Sequence, residues 1–294
     1  MVTRWLLLLL AMLALSSCDK PLFAPAPRDA HPALWVVRDA DTTIYLFGTV
    51  HVLEPGIRWL NGDVRKAFDA SDQLVLEITG VSGAQMSRIV ATLALDKGPR
   101  LSQRFPPAEL AKIRAAIEQG GGNPEITDRL APWYLALNLS VEALDRARLK
   151  PAAGVESVLT GDAGAHGKPV AGLETAEQQF GYFAGLSQPA QDALLVRTVD
   201  RIPQLPADAR AAAEAWSRGD ADKLGALVNA ELKDSPELAE KLLHARNRRW
   251  ADWIKARMAT PGRIFVAVGA GHLAGAGSLQ QELAARGFKV TRIQ

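Results

Sequence analysis

The sequence predicts an α/β domain, with a mostly parallel central sheet flanked by helices and interrupted by helical insertions. Three observations lead there. Runs such as DQLVLEI (72–78) and RIFVAVG (263–269) are apolar on both faces, as strands covered on each side must be. Stretches of helical period separate these runs, the alternation that builds a parallel sheet. A helical block at about 83–150 contains no strand pattern and reads as an insertion.

The chain opens with MVTRWLLLLLAMLALSSC. A basic Arg4 precedes an apolar run from Trp5 to Leu15, too short to span a membrane and suited to a signal peptide over residues 1–17. Leu15-Ser16-Ser17-Cys18 resembles a bacterial lipobox, which would lipidate Cys18, the only cysteine of the chain. An unpaired thiol would be a liability in an oxidising envelope, which favours lipidation over an ordinary secretory signal. The expectation is a lipid-anchored protein on the periplasmic side of a bacterial envelope. By analogy with enteric sorting rules, Asp19 favours the inner membrane. Residues 18–33 are rich in Pro and Ala and read as a tether, with His31 solvated.

Residues 34–294 read as a single domain. LWVV (34–37) and TIYLFG (43–48) form a hairpin around Asp39-Ala40-Asp41, and DQLVLEI follows. Helices are expected over 60–70, within 83–144, and over 154–166, 174–186, 189–202 and 207–219. KPVAGLE (168–174) is a further strand. The longest helix, 235–258, starts at Ser235 with Pro236 in its first turn. RIFVAVG, a helix ending at Gly287, and FKVTRI (288–293) complete the chain.

The composition, 48% hydrophobic and 22% charged over 294 residues, is enough to bury one sizeable core. Lys and Arg (34) nearly balance Asp and Glu (32), and no basic block interleaved with aromatics occurs, so no nucleic-acid partner is expected. There is no HExxH helix and no GxSxG elbow, so neither an ordinary zincin nor a serine hydrolase is indicated.

Ligands of open parallel sheets bind at the carboxyl ends of the strands. Four strands end there in a group capable of chemistry: His51, Glu77, Glu174 and His272. The histidines share a frame, Gly48-Thr49-Val50-His51 and Gly269-Ala270-Gly271-His272, in which each glycine permits a sharp turn and close backbone approach. A lone histidine after a strand is more often structural; two imidazoles and two carboxylates on one sheet edge shift the balance to a site. Glu156, at a helix start, is equally well explained by the helix dipole. His166 and His244 read as surface residues. On the long helix Leu242, Arg246, Trp250 and Trp253 share a stripe, with Asn247 beside it. A buried Arg246 needs an anionic partner.

With LFGTVH, LVLE, GVE, LETAEQQ, Arg246-Asn247 and VAVGAGHLAG in this order, the chain resembles the TraB/GumN family, which also takes in PrgY-like and animal Tiki proteins. The likeness spans about 34–294. It implies a fold similar to erythromycin esterase and the haem-binding ChaN proteins. It also implies metal-dependent peptidase activity, with His51, His272 and Glu77 at the metal-binding positions. Glu156, Glu174, Gln178, Arg246 and Asn247 match further family positions.

The leading expectation is therefore a metal-dependent hydrolase using Mn, Co, Zn or Fe. Glu77 or Glu174 would act as base, and Arg246 or Asn247 would stabilise the oxyanion. The alternatives are an envelope lipoprotein that binds haem, metal or a peptide or small-molecule ligand in the same cleft, and an esterase-like site in which a histidine acts without metal.

Overall fold

In the computed structural model, residues 27–294 are described except 97, 150–153 and 233–234; the signal segment, Cys18 and Asp19 lie outside the described residues. The strands are β1 (Arg28–Asp29), β2 (Leu34–Arg38), β3 (Thr42–Thr49), β4 (Ile57–Arg58), β5 (Gln73–Leu76), β6 (Val170–Gly172), β7 (Gly262–Gly269) and β8 (Val290–Arg292). Six of them form one sheet in the order β6-β5-β7-β3-β2-β8, and β1 pairs with β4. β6, β5, β7 and β3 are parallel neighbours, whereas β2 runs antiparallel between β3 and β8. The sheet is thus mixed, because a hairpin returns the chain at one edge. At that hairpin Asp39 Oδ1 accepts from Thr42 N at 2.8 Å, closing the expected turn.

The doubly apolar strands are explained by their two covered faces. Phe47, Leu74, Leu76 and Phe265 point to one core with Phe68, Trp59, Leu159 and Trp216. Their alternating neighbours Ile44, Leu46, Val75, Val266 and Val268 point to the other, where Trp250, Ile254, Leu279 and Leu283 close over them. Each such fully buried side chain contributes about 1.5–3 kcal/mol. The insertion has its own core: Ile113, Ile117, Leu135 and Leu139 pack with Leu195.

Three expectations change. Residues 28–33 do not trail as a tether: β1 pairs with β4, Ala30 is buried, and Ala30 N donates to Arg58 O. His31 itself is exposed, as expected. The 235–258 helix contains a π-helical segment, Glu240–His244, between Pro236–Ala239 and Ala245–Arg257. That segment shifts the face presented downstream, and Trp253 ends only half-buried while Trp250 is fully buried. His244 is half-buried against Gly277, where a Cβ would lie 2.4 Å from its ring. The helix Ala221–Val228, N-capped by Asp220, was not anticipated. No helix among the described residues is long and apolar enough to cross a membrane.

Candidate functional site

β3 and β7 lie side by side in parallel, with Thr49 opposite Gly269, so their exits deliver both Gly-x-x-His frames to one sheet edge. The glycines matter for closeness rather than for turn handedness. A Cβ on Gly48 would stand 3.1 Å from Ala270 Cβ, and one on Gly269 would stand 3.1 Å from Glu77 Oε1. Neither has the positive φ that reserves a position for glycine.

His51 sits in the loop after β3, which is tied down where Val155 N donates to Val50 O at 3.1 Å. This places Glu156, in the first turn of Val155–Ala165, beside the imidazole. His51 Nδ1 is 2.8 Å from Glu156 Oε1, which also accepts from Thr49 Oγ1 at 2.5 Å. The Glu156 carboxylate, by charge and hydrogen bond, outweighs burial and raises the His51 pKa to about 9. Burial raises the Glu156 pKa, but the His51 charge and the two hydrogen bonds bring it below the ordinary value. The His51 side chain is walled by protein yet 75% open to solvent, because it forms part of a cavity floor.

His272, in the turn Ala270–Leu273, is buried. Its Nδ1 is 2.6 Å from Asn247 Oδ1, while Asn247 Nδ2 donates to Gly277 O at 2.7 Å. Nδ1 therefore carries the proton and Nε2 the lone pair, which faces Arg246 Nη1 at 3.1 Å. Burial depresses the His272 pKa to about 3, despite the attraction of Glu77. Its ring lies 4.4 Å from that of Trp250.

Arg246 is the hub. Its Nη2 donates to Glu77 Oε2 at 2.5 Å and to Glu174 Oε2 at 2.9 Å, its Nε contacts both Glu174 oxygens at 3.1 Å, and Nη1 also donates to Leu242 O. Glu174 is further held by Trp250 Nε1 and Tyr182 Oη at 3.1 and 3.2 Å. Glu77 Oε1 accepts from Gly269 N at 2.7 Å. Burial would raise the Glu77 pKa, but the charges of His272, Arg246 and His51 and the Gly269 N–H lower it to about 2. At neutral pH His272 is uncharged, which leaves Arg246, the charged His51 and the Gly269 N–H to hold Glu77 ionised.

Of the candidates, His51, Glu77, His272 and Arg246 line one cavity of about 510 Å³, with Gly269 beside them. Glu156 and Glu174 stand behind its floor, and Asn247 orients His272. Gln178 is elsewhere: its Oε1 accepts from Thr175 N at 2.8 Å and its own N–H donates to Thr175 Oγ1, a capping box on an exposed turn. Gln179 is the glutamine that reaches the site, donating to Glu77 Oε2 at 2.8 Å. The pattern Thr175-x-x-Gln178 already marks a capping box in the sequence, which leaves the next residue free to turn inward. Thr49 and Tyr182 also belong to the site, through hydrogen bonds to Glu156 and Glu174 that sequence spacing does not announce.

The donors do not fit a divalent cation as arranged. Among the described residues no group of three or more His, Cys, Asp or Glu side chains converges as a metal site. His272 Nε2 and Glu77 Oε1 are 3.9 Å apart, but the Arg246 guanidinium holds both residues and brings its own positive charge to that place. Both carboxylates that a metal would recruit, Glu77 and Glu174, are already ion-paired with Arg246.

Two curated proteins are similar to this chain, those of Escherichia coli (strain K12) and Shigella flexneri described as "Uncharacterized protein YbaP". Each is 26% identical over 254 residues, covering 86% of this chain and 92% of the relative. No solved structure matches, so the likeness to the erythromycin esterase and ChaN folds rests on the motifs. The TraB/PrgY/gumN family matches residues 33–292, which contain both Gly-x-x-His frames, the two strand-end glutamates and the Arg246-Asn247 pair, and the chain belongs to that family.

Proposed function

We propose that this cleft hydrolyses a carboxylic ester or amide, with His51 as its proton donor and no resident metal in the reacting position. The observation that carries this reading is the Glu156–His51 pair at the cavity floor. Glu156 fixes Nδ1 and keeps the ring charged, while Nε2 has no hydrogen-bond partner among the described residues and is left for a ligand. Glu77 is held ionised on the same floor and accepts a hydrogen bond from the attacking water. The water oxygen forms the new bond to the carbonyl carbon. The bond to the leaving group breaks, and that electron pair takes the His51 proton. The proton shed by water passes to Glu77 and on to His51. Arg246 keeps Glu77 charged and oriented, burial keeps His272 neutral beside it, and Asn247 fixes its tautomer.

Assays of the full chain on nitrophenyl esters and fluorogenic peptide amides, with chelator and with added Mn²⁺, Co²⁺ or Zn²⁺, test this. Chelator-insensitive turnover, abolished in His51→Gln and falling as pH rises through about 9, is expected. Turnover that requires a metal would make the histidines ligands and overturn the assignment. Stoichiometric haem uptake without turnover would make the protein a binder.

We infer further that the chain is an envelope lipoprotein anchored through Cys18, on the strength of Leu15-Ser16-Ser17-Cys18, with Asp19 favouring the inner membrane. Metabolic labelling with a fatty acid, lost in Cys18→Ser, is the check.

A further inference from the structure

The cavity is two-sided. Its floor carries the polar groups, and its wall is helical. The helices Pro132–Arg146, Ala176–Ala184 and Gln188–Arg201 contribute Leu137, Leu144, Phe183 and Leu194 to it, with Ser140 and Thr198 as their only polar side chains there. Ser140 Oγ already donates its proton to Ala136 O at 2.9 Å, leaving it only as an acceptor. Leu238, Leu242 and Leu243 extend the apolar surface from the other side. A peptide strand would bring an N–H and a C=O per residue into this space and meet few partners along the helical wall, where Ser140, Thr198 and Asn229 are the polar side chains among the described residues. An unbranched hydrocarbon chain has no such groups, and about 510 Å³ accommodates one of medium length. Charge agrees with this orientation: among the described residues the ionisable groups lining the cavity are His51, His272, Glu77 and Arg246, all on the floor, so a carbonyl or carboxylate head fits there and its tail lies along the helices.

We propose that the ligand is a medium-chain fatty acyl group, its carbonyl at His51 and its tail between Leu137, Leu144, Phe183 and Leu194. The helices Pro132–Arg146, Ala176–Ala184 and Gln188–Arg201 are then the specificity element of the site, and the substrate is an acyl ester or amide. This rests on the hydrolase reading for the fate of the ligand, but binding can be measured without turnover.

The test is calorimetric titration of the full chain, kept soluble by an amphipathic polymer with polymer alone as blank, using butanoate, hexanoate, octanoate and decanoate. Affinity should tighten about fourfold per added methylene until the cavity is filled. Ser140→Phe, which projects a ring into the cavity from an already half-buried helical position, should stop that gain at a shorter chain while leaving butanoate binding unchanged. Thr198→Phe serves the same purpose if the first variant does not fold. Affinity independent of chain length, or a series unaffected by either phenylalanine, would overturn the proposal. Chain-length-dependent binding with no turnover of the matching nitrophenyl esters would keep the acyl site and remove the hydrolase. Turnover indifferent to chain length would do the reverse.

Discussion

The exits of β3 and β7 are built to one pattern, a glycine and, three residues later, a histidine, on neighbouring parallel strands. Their histidines nevertheless end in opposite states. His51 faces the cavity, pairs with a carboxylate and is driven toward the charged form; His272 is buried, pairs with an amide and is driven toward the neutral one. The motif therefore sets position, while the surroundings set chemistry. The Glu156 carboxylate makes the difference at His51 and burial makes it at His272, where Asn247 fixes the ring's tautomer.

The largest break in this comparison comes from Arg246. Removing its charge in Arg246→Met would take from the buried Glu77 and Glu174 the cation they share, at a cost of about 3–5 kcal/mol. Denaturant titration measures it, and a loss under about 1 kcal/mol would mean that the hub is not what holds the floor together. Asn247→Ala comes next. It strips the acceptor from His272 Nδ1 and should cost about 1–3 kcal/mol. Asn247→Asp sharpens the contrast instead, since a carboxylate there imitates Glu156 and should raise the His272 pKa, read by ring-proton NMR.

The mirror experiment is Glu156→Gln. It should return the His51 pKa from about 9 toward its ordinary value of 6.5, and with it remove the stability that the raised pKa contributes below about pH 9. The two sides also predict opposite pH limits. His51 contributes stability that is complete below 6.5 and is lost as pH rises through about 9. His272 binds its proton more readily when unfolded, so stability falls as pH drops from 6.5 toward 3, and Glu77 adds a loss between 4.5 and about 2. A Glu156→Gln protein should lose the alkaline limb and keep the acid one. The smallest effect is Gln178→Ala, about 0.5 kcal/mol and no change in activity, because only the exposed capping box is touched. Gln179→Ala should alter turnover instead, since it releases Glu77 Oε2.

Much of this was legible in the sequence. Runs apolar at every position declared strands covered on both faces, and Ile44, Leu46 and Val266 do face the opposite core from Phe47 and Phe265. The repeated Gly-x-x-His frame declared that two histidines matter, and the helical stripe declared Arg246 buried. Local pattern suffices for such statements, because periodicity and glycine placement act within a few residues.

Tertiary structure alone decided the rest. Only the packing of Val155–Ala165 against the β3 exit gives His51 its carboxylate. Only the convergence of three separated segments lets Arg246 pair with Glu77 and Glu174 together, at the place where a metal was expected. Whether an inward glutamine is Gln178 or Gln179 turns on which face of one helix meets Glu77. Charge balance in a buried site depends on distances between groups that the chain brings together from as far as 192 residues apart, as Glu77 and Gly269 are, and sequence spacing carries no information about those distances.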